Sequence, residues 1–180
     1  TALHEDRQGT LWVATTLGVA RRQGARFVAV SISGDTPWPE YQIRSITTEV
    51  NGDVWLCDQQ RGVFRWRDGV TTALGDVIGP RKAYLVHADR VGRVWIGYWD
   101  GGLAVYDHGK VSTYGVEQGL PRASVNAIFE DRTGSLWVGS DRDLGRVEGA
   151  RVRAFTGNGF PASVVTSMLQ DEAGNYWVGL

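Results

Sequence analysis

Aromatic rings beside acids and arginines are the residues of this sequence best suited to bind a ligand. They stand together in Tyr98-Trp99-Asp100 and in Pro37-Trp38-Pro39-Glu40-Tyr41. Flat rings stack on C–H surfaces, while charged groups hydrogen-bond hydroxyls and anions. This combination predicts a site for a small polyhydroxylated or anionic solute, such as a glycan. The candidate ligand-binding residues are Trp38, Tyr41, Asp58, Arg61, Tyr98, Trp99, Asp100, Asp141 and Arg142.

Catalytic and metal-binding motifs are missing from the sequence. It has no G-x-S-x-G elbow, P-loop, H-E-x-x-H motif or EF-hand loop. His4, His87 and His108 are scattered, and neighbouring residues of a strand such as His4 and Glu5 point to opposite faces, so they cannot converge on one metal ion. Cys57 stands alone, which excludes an internal disulfide and a cysteine-based metal cluster. We therefore expect a non-enzymatic module without metal or cofactor.

Charge and hydropathy exclude two further classes of partner. Nineteen basic and 20 acidic residues give a formal net charge of -1, so no sequence-wide positive field attracts nucleic acid or anionic lipid. The longest apolar stretches, such as Phe27 to Val30, are far shorter than the ~20 residues of a membrane helix. We expect neither nucleic-acid binding nor membrane insertion in this segment.

A repeat positions the candidate residues. The pattern D-x-x-G-x-x-W occurs five times, with glutamate in place of aspartate in the second copy. A residue type that returns in every repeat is first a packing device, which predicts a structural role for the repeated tryptophans and glycines. The repeat residues are Trp12, Trp55, Trp95, Trp137 and Trp177, and Gly9, Gly52, Gly92, Gly134 and Gly174.

Each repeat predicts four short strands, A to D. Apolar and polar residues alternate with a period of two, as in Ser124 to Glu130, and the D-x-x-G turn joins strand A to strand B. A unit of ~40–45 residues with four antiparallel strands is typical of a β-propeller blade. We therefore predict an all-β fold of about four and a half blades from a larger, seven-bladed propeller. The expected units are blade 1 at 1–31, blade 2 at 43–74, blade 3 at 83–115, blade 4 at 124–156 and a half blade 5 at 163–180.

The repeat resembles that of the two-component regulator propeller family. The similarity rests on D-R-x-G-x-L-W-V-G and on the segments Gly119 to Ile128 and Gly159 to Val165, which lead into the next strand A. Departures are Glu49 at the turn acid and Ala14 and Cys57 at the glycine after the Trp-Val pair. The resemblance implies a periplasmic or otherwise extracytoplasmic sensor region placed ahead of a signalling output. The partners it implies are the remaining blades, downstream signalling domains and a ligand or partner domain on the loop face.

Two alternatives remain open at this point. Virginiamycin B lyase has similar short D-x-x-G-x-x-W blades, so a lyase-like enzyme is one, and a pure protein-interaction scaffold is the other. The sequence stops within strand B of the fifth unit, which predicts that the 180 residues are part of a larger propeller. We also expect its exposed terminal blades to self-associate, with a dimer as one outcome.

Overall fold

Four four-stranded antiparallel sheets and one two-stranded hairpin are formed by the part of the chain that the structure describes. The structure is a computed structural model that describes residues 2–15, 17–30, 42–79, 81–155 and 160–180. In each full sheet the strands pair in an unbroken order from A to D. The first sheet holds β1 (Ala2–Glu5), β2 (Leu11–Thr15), β3 (Gly18–Gln23) and β4 (Arg26–Val30), and the second holds β5 (Ile43–Thr48), β6 (Val54–Asp58), β7 (Gly62–Arg67) and β8 (Val70–Ala73). The third holds β9 (Ala83–Ala88), β10 (Val94–Tyr98), β11 (Leu103–Asp107) and β12 (Lys110–Tyr114), and the fourth holds β13 (Val125–Glu130), β14 (Leu136–Ser140), β15 (Leu144–Glu148) and β16 (Arg151–Ala154). The hairpin is β17 (Ser167–Gln170) with β18 (Tyr176–Gly179).

The first strands of the sheets lie next to one another in succession. Contacts run from β1 to β5, from β5 to β9, from β9 to β13 and from β13 to β17. Side chains bond across these contacts: the Ser45 hydroxyl donates to the carbonyl of Val86 at 3.0 Å, and the hydroxyl of Thr47 accepts the Ala88 amide at 3.1 Å. A succession of four-stranded sheets joined at their first strands is the blade arrangement of a β-propeller, which confirms the predicted fold class.

The D-x-x-G turns share one hydrogen-bond pattern. In blade 3 the Asp89 carboxylate accepts the amides of Val91 at 3.1 Å and Arg93 at 2.9 Å, and its other oxygen accepts the Trp95 indole N–H at 2.9 Å. Gly92 has a φ of 88°, a conformation that glycine adopts without a steric cost. The acid therefore closes the turn and also orients the tryptophan. Matching indole bonds join Trp12 to Asp6, Trp137 to Asp131 and Trp177 to Asp171.

The repeated tryptophans fill the space between neighbouring blades. Trp95 is 1% exposed and packs in a cluster with Val125 and Val138 of blade 4. Trp55 packs in the same way against Val86 and Ile96 of blade 3. Trp177 makes the same bond to its turn acid but is 61% exposed. Burial of this ring therefore depends on the face of a following blade and not on its own hairpin.

Blade 2 departs from the pattern at its turn acid. Glu49 contacts Asn51 at 3.1 Å through its carboxylate, and the buried Nε1 of Trp55 has no hydrogen-bond partner among the described residues. Burial raises the pKa of Glu49. The longer glutamate thus stands near the Trp55 indole N–H without making the well-formed bond that aspartate makes in the other turns.

Short helical turns occupy two of the connections that lead from strand D to the next strand A. Gly75–Ile78 forms α1, and Val116–Gln118 forms a 3-10 turn that ends at Gly119. Such short turns leave no mark in the sequence, because four residues cannot show a helical period. Both segments lie on the side of the sheets where the candidate ligand residues are found.

Candidate functional site

The loops between strands B and C lie against the start of strand A in the same blade. In blade 3 the Trp99 amide donates to the carbonyl of Lys82 at 2.9 Å. The equivalent bonds join Gln59 to Gln42 at 3.2 Å in blade 2 and Asp141 to Ser124 at 3.1 Å in blade 4. This repeated bond brings the B–C and D–A segments together on one surface, which we call the loop face.

In blades 2, 3 and 4, a β-bulge in strand A places one side chain on the loop face. The register shifts at Arg44 in β5, at Tyr84 in β9 and at Asn126 in β13, so these residues have no partner on strand B. Bulges re-aim a side chain and are common beside functional sites. The Arg44 guanidinium lies 4.8 Å from the Tyr84 ring centre and donates to its hydroxyl at 3.0 Å. Bulge residues of neighbouring blades therefore contact each other directly.

The aromatic cleft is an open cavity of about 390 Å³ beside these bulges. Trp99 is 51% exposed, and its ring centre lies 5.0 Å from that of Tyr84 at an interplanar angle of 57°. The two rings and three amide side chains offer stacking surfaces together with hydrogen-bond donors and acceptors. The lining residues are Gln42, Gln59, Gln60, Lys82, Ala83, Tyr84 and Trp99.

Charge in the aromatic cleft is positive. Lys82 is exposed, and its ammonium has no ion-pair partner among the described residues. None of the described lining residues is acidic. Arg44 lies beside the cleft, where it donates to the side-chain oxygen Oε1 of Gln59 at 3.1 Å and stacks on Tyr84. The arrangement suits hydroxyl groups and a carboxylate or sulfate on one ligand.

The polar cleft, of about 580 Å³, adjoins the aromatic cleft. Its wall on that side is the Arg81 guanidinium, which donates to the Asp100 carboxylate at 2.8 Å and stands 4.1 Å from the centre of the Tyr98 ring. Gly101 and Gly102 have φ values of 88° and 90°, and a Cβ at Gly102 would lie 3.0 Å from Arg81 Nη1. The remaining lining residues are Thr113, Tyr114, Gly115, Val116, Glu117, Gln118, Pro121 and Arg122.

Two sequence candidates support the loops instead of lining a cleft. Asp58 is 1% exposed, and its carboxylate accepts the backbone amides of Gln42, Gln60 and Arg61 at 2.8 to 2.9 Å. Tyr98 is fully buried, and its hydroxyl donates to the Ile78 carbonyl at 3.1 Å. Both side chains are used within the protein and present no free group to a ligand.

The other candidates are dispersed. Trp99 and Asp100 line the aromatic and polar clefts, respectively. Asp141 accepts a bond from the Asn126 amide at 2.7 Å, which lowers the pKa of the acid. Arg61, Asp141 and Arg142 lie on loops outside the two clefts, and Trp38 and Tyr41 lie outside the described residues.

Each histidine has a structural setting away from the clefts. His4 and His87 stand at equivalent positions, opposite Trp12 and Trp95 in the strand pairs. His4 shares a 2.8 Å hydrogen bond with Thr48. Burial lowers the pKa of His87 to about 4. His108 lies at the turn between β11 and β12, where Asp107 raises its pKa.

The described ranges contain neither a metal-binding cluster nor a membrane-spanning helix. Within them, no group of three or more histidine, cysteine, aspartate or glutamate side chains is arranged to hold a metal ion. In the same part of the chain, no helix has the length and apolar character required to cross a bilayer.

Sequence reasoning missed several cleft residues. Tyr84 and Arg44 read as ordinary strand positions, because a bulge leaves no mark on a period-two pattern. Lys82, Arg81 and Arg122 were visible only as charged residues in D–A segments. A signal was available in Gly101-Gly102, since paired glycines mark a loop in which the backbone approaches its neighbours closely.

The fold is that of a β-propeller built from repeated four-stranded blades. Residues 119–142 and 159–180 match the model of the two component regulator propeller family. Over these two segments, the match confirms the resemblance read from the sequence. Curated protein sequences contain no significant match to the chain.

Solved structures with the same fold include domains of signalling proteins and a lyase. The extracellular domain of a protein described as a hybrid two component system of B. thetaiotaomicron is 18% identical, with a TM-score of 0.79 over 99% of this chain and 26% of its own. The extracellular domain described as a one component system of that organism is 16% identical, with a TM-score of 0.77 over 99% of this chain and 25% of its own. Virginiamycin B lyase of Staphylococcus aureus is 14% identical, with a TM-score of 0.75 over 98% of this chain and 61% of its own. The chain thus spans less than two thirds of each of these proteins.

Proposed function

We propose that the protein is a non-enzymatic sensor module of a two-component-type signalling protein and that it binds a small solute or glycan in the aromatic cleft. The observation that carries the proposal is the half-exposed Trp99 ring, held 5.0 Å from Tyr84 among glutamine side chains and beside the unpaired Lys82. Ring faces and amides suit a sugar, and the ammonium suits an acidic substituent.

The location and context of the module are part of the proposal. Extracellular domains of two-component neighbours share its fold, and they support an extracytoplasmic position for this module. Trp177, whose ring is 61% exposed, lies on a blade face equivalent to those on which Trp55 and Trp95 pack against the following blade. We assign that face to further propeller blades of a longer chain, which continues to a signalling output.

A lyase activity is the alternative from a different class, and the fold of virginiamycin B lyase supports it. Elimination chemistry requires a general base, for which histidine is the most frequent choice. His4, His87 and His108 line neither of the two clefts. Turnover of a streptogramin substrate that is lost on replacing any of these histidines would reverse the order of the two proposals.

The binding proposal is tested by Trp99→Ala, with Phe27→Ala as the matched control. Phe27 is 54% exposed against 51% for Trp99, but it lies on the outer strand β4. Neutral and acidic mono- and oligosaccharides are titrated into the chain by isothermal calorimetry. We expect Trp99→Ala to weaken the best ligand by about tenfold or more, the equivalent of 1.4 kcal/mol, and Phe27→Ala to leave it unchanged. Equal effects of the two replacements, or no binding by the wild-type chain at millimolar concentrations, would contradict the proposal.

A further inference from the structure

The outer strand of blade 1, β4, has a free edge. In the part of the chain that the structure describes, the sheet order ends at this strand, so its backbone pairs with β3 on one side only. The N–H and C=O groups on the other side of a terminal strand are available to an added strand. The outer strands β8 and β12 keep the same free edge between neighbouring blades, because blades pack through their faces. Packing of another blade therefore leaves the edge of β4 accessible.

The side chains of β4 differ from those of the other outer strands. Four apolar residues follow one another from Phe27 to Val30. Phe27 and Val28 point to opposite faces of the strand and are 54% and 42% exposed. In β12 and β16, by contrast, Val111 and Val152 pack into blade junctions, and β8 has two threonines at its centre. Among the four outer strands of the described sheets, β4 thus has exposed apolar side chains in succession on both faces.

Arginines surround one end of this apolar edge. Arg26 begins β4, and Arg21 and Arg22 lie opposite Val28 and Phe27 on β3. Neither strand contains an acidic residue. Within the described residues, none of the three arginines forms an ion pair. The edge therefore carries uncompensated positive charge at the end where β4 begins.

This charge distinguishes between the strands that the edge could accept. A second copy of β4 would add no acidic group, so the three cations would stay without a counter-charge at the junction. An extended segment with acidic residues at one end compensates for them. Aromatic or β-branched residues in the rest of that segment pack against Phe27 and Val28 as cross-strand neighbours. Charge complementarity therefore favours an acidic partner over self-pairing.

We propose that the free edge of β4 binds an extended segment of a partner protein as a fifth strand of blade 1. The partner segment has a run of about four apolar or β-branched residues, the length of the apolar run of β4, and acidic residues at the end that meets Arg22 and Arg26. Main-chain hydrogen bonds supply affinity, and the arginines select the acidic segment and its direction. Blade 1 contributes no residue to the aromatic or polar cleft, so this site is separate from the proposed solute site.

Two fluorescent peptides test the proposal in both strand directions, V-T-V-T-E-E and its reverse E-E-T-V-T-V. Each is titrated into the full chain by fluorescence polarisation, and hydrogen exchange read by mass spectrometry locates the bound peptide. We expect one of them to bind and to slow exchange in β4 but not in β16. Replacing both glutamates by lysine, or the two central residues by proline, should weaken binding by about tenfold or more, since proline has no N–H to donate.

Variants of the chain separate the contribution of charge from that of apolar contact. The double reversal Arg22→Glu with Arg26→Glu should weaken the peptide by about tenfold or more, and so should Phe27→Thr, which keeps a residue suited to a strand. The matched control is Arg151→Glu, which reverses an exposed arginine of the outer strand β16. Neither this control nor Trp99→Ala in the aromatic cleft should change peptide affinity.

Four results would overturn the proposal and leave the proposed function intact. They are absence of binding by both peptides at millimolar concentrations, equal binding of the lysine peptide, slowed exchange confined to another strand, and equal effects of the Arg151 control and the double reversal. Phosphatidylglycerol vesicles are a further probe: if they bind through Arg22 and Arg26 while neither peptide binds, the edge serves a lipid surface instead. A dimer of the wild-type chain that Phe27→Thr dissociates, again without peptide binding, would identify a second copy as the occupant.

Discussion

Replacing Trp95 by alanine should lower the free energy of unfolding by about 3–5 kcal/mol, the range measured for removal of large buried rings. The ring is 1% exposed and lies 5.7 Å from the ring centre of Tyr114, so alanine leaves a cavity between blades 3 and 4. The lost indole bond to the Asp89 carboxylate adds to the cost, although Asp89 keeps its 2.7 Å contact with Arg93.

Trp177→Ala is the matched control. It removes the same side chain and the same 2.9 Å bond to a turn acid, but from a ring that is 61% exposed. We expect it to cost about 1 kcal/mol or less, since exposed truncations lose little burial. The two losses should therefore differ by at least about 2 kcal/mol.

Equilibrium urea unfolding followed by circular dichroism measures both losses without using tryptophan as the reporter. Trp95→Phe is the second variant, because phenylalanine keeps much of the ring and should cost about 1–2 kcal/mol even where alanine prevents folding. Equal losses for Trp95→Ala and Trp177→Ala, or a loss below about 1 kcal/mol at Trp95, would show that the ring does not act as an inter-blade wedge.

Three further predictions concern stability. Glu49→Asp should stabilise the chain by about 1 kcal/mol in urea unfolding, because the shorter acid can reach the unpaired indole N–H of Trp55. A lower free energy of unfolding would instead show that blade 2 needs glutamate. Burial lowers the pKa of His87 from 6.5 to about 4, so stability is full above pH 6.5 and declines as the pH falls towards 4. This decline in the free energy of unfolding amounts to about 3 kcal/mol, and His87→Phe should reduce it. If the variant and the wild-type chain lose the same stability between pH 7 and pH 4.5, His87 does not cause the decline. Gly119→Ala should lower the free energy of unfolding by about 2 kcal/mol or more, since Gly119 has a φ of 99° and a Cβ there would overlap a backbone oxygen of β16. A Cβ at Gly149 meets open space, so Gly149→Ala should cost less in the same assay.

The blades were predictable because their signal is repeated and local. Asp and Gly at fixed spacing close a turn, and the tryptophan six residues after the acid packs against the next blade. Each of these roles depends on neighbours within one unit or the adjacent one, so period and spacing carry it. The second bond of the acid, to the indole, was not foreseen, because spacing alone does not show which way a carboxylate oxygen points.

The candidate site was predictable only in part, because the position of a residue in a loop does not reveal whether its side chain is already hydrogen-bonded within the protein. Trp99 and Asp100 line clefts as exposed residues. Asp58 has the same side chain as Asp100 but stands two positions earlier in the equivalent loop, and it is buried where it accepts three backbone amides. Tyr84 contributes a ring from a bulge within a strand, where period-two reading places an ordinary residue.

The difference between these loops lies in what satisfies their backbone amides. In blade 2 the Asp58 side chain accepts them, and in blade 4 the Ser140 hydroxyl accepts the amides of Arg142 and Asp143 at 3.2 and 3.0 Å. In blade 3 backbone carbonyls do so: Tyr98 and Gly102 are bonded at 3.2 Å, and Gly101 donates back to Tyr98 at 3.3 Å. Paired glycines at positive φ make that backbone closure feasible. The Trp99 ring of the blade 3 loop remains half-exposed at the aromatic cleft, and a Gly-Gly pair after strand B is the feature by which such a loop can be recognised in the sequence.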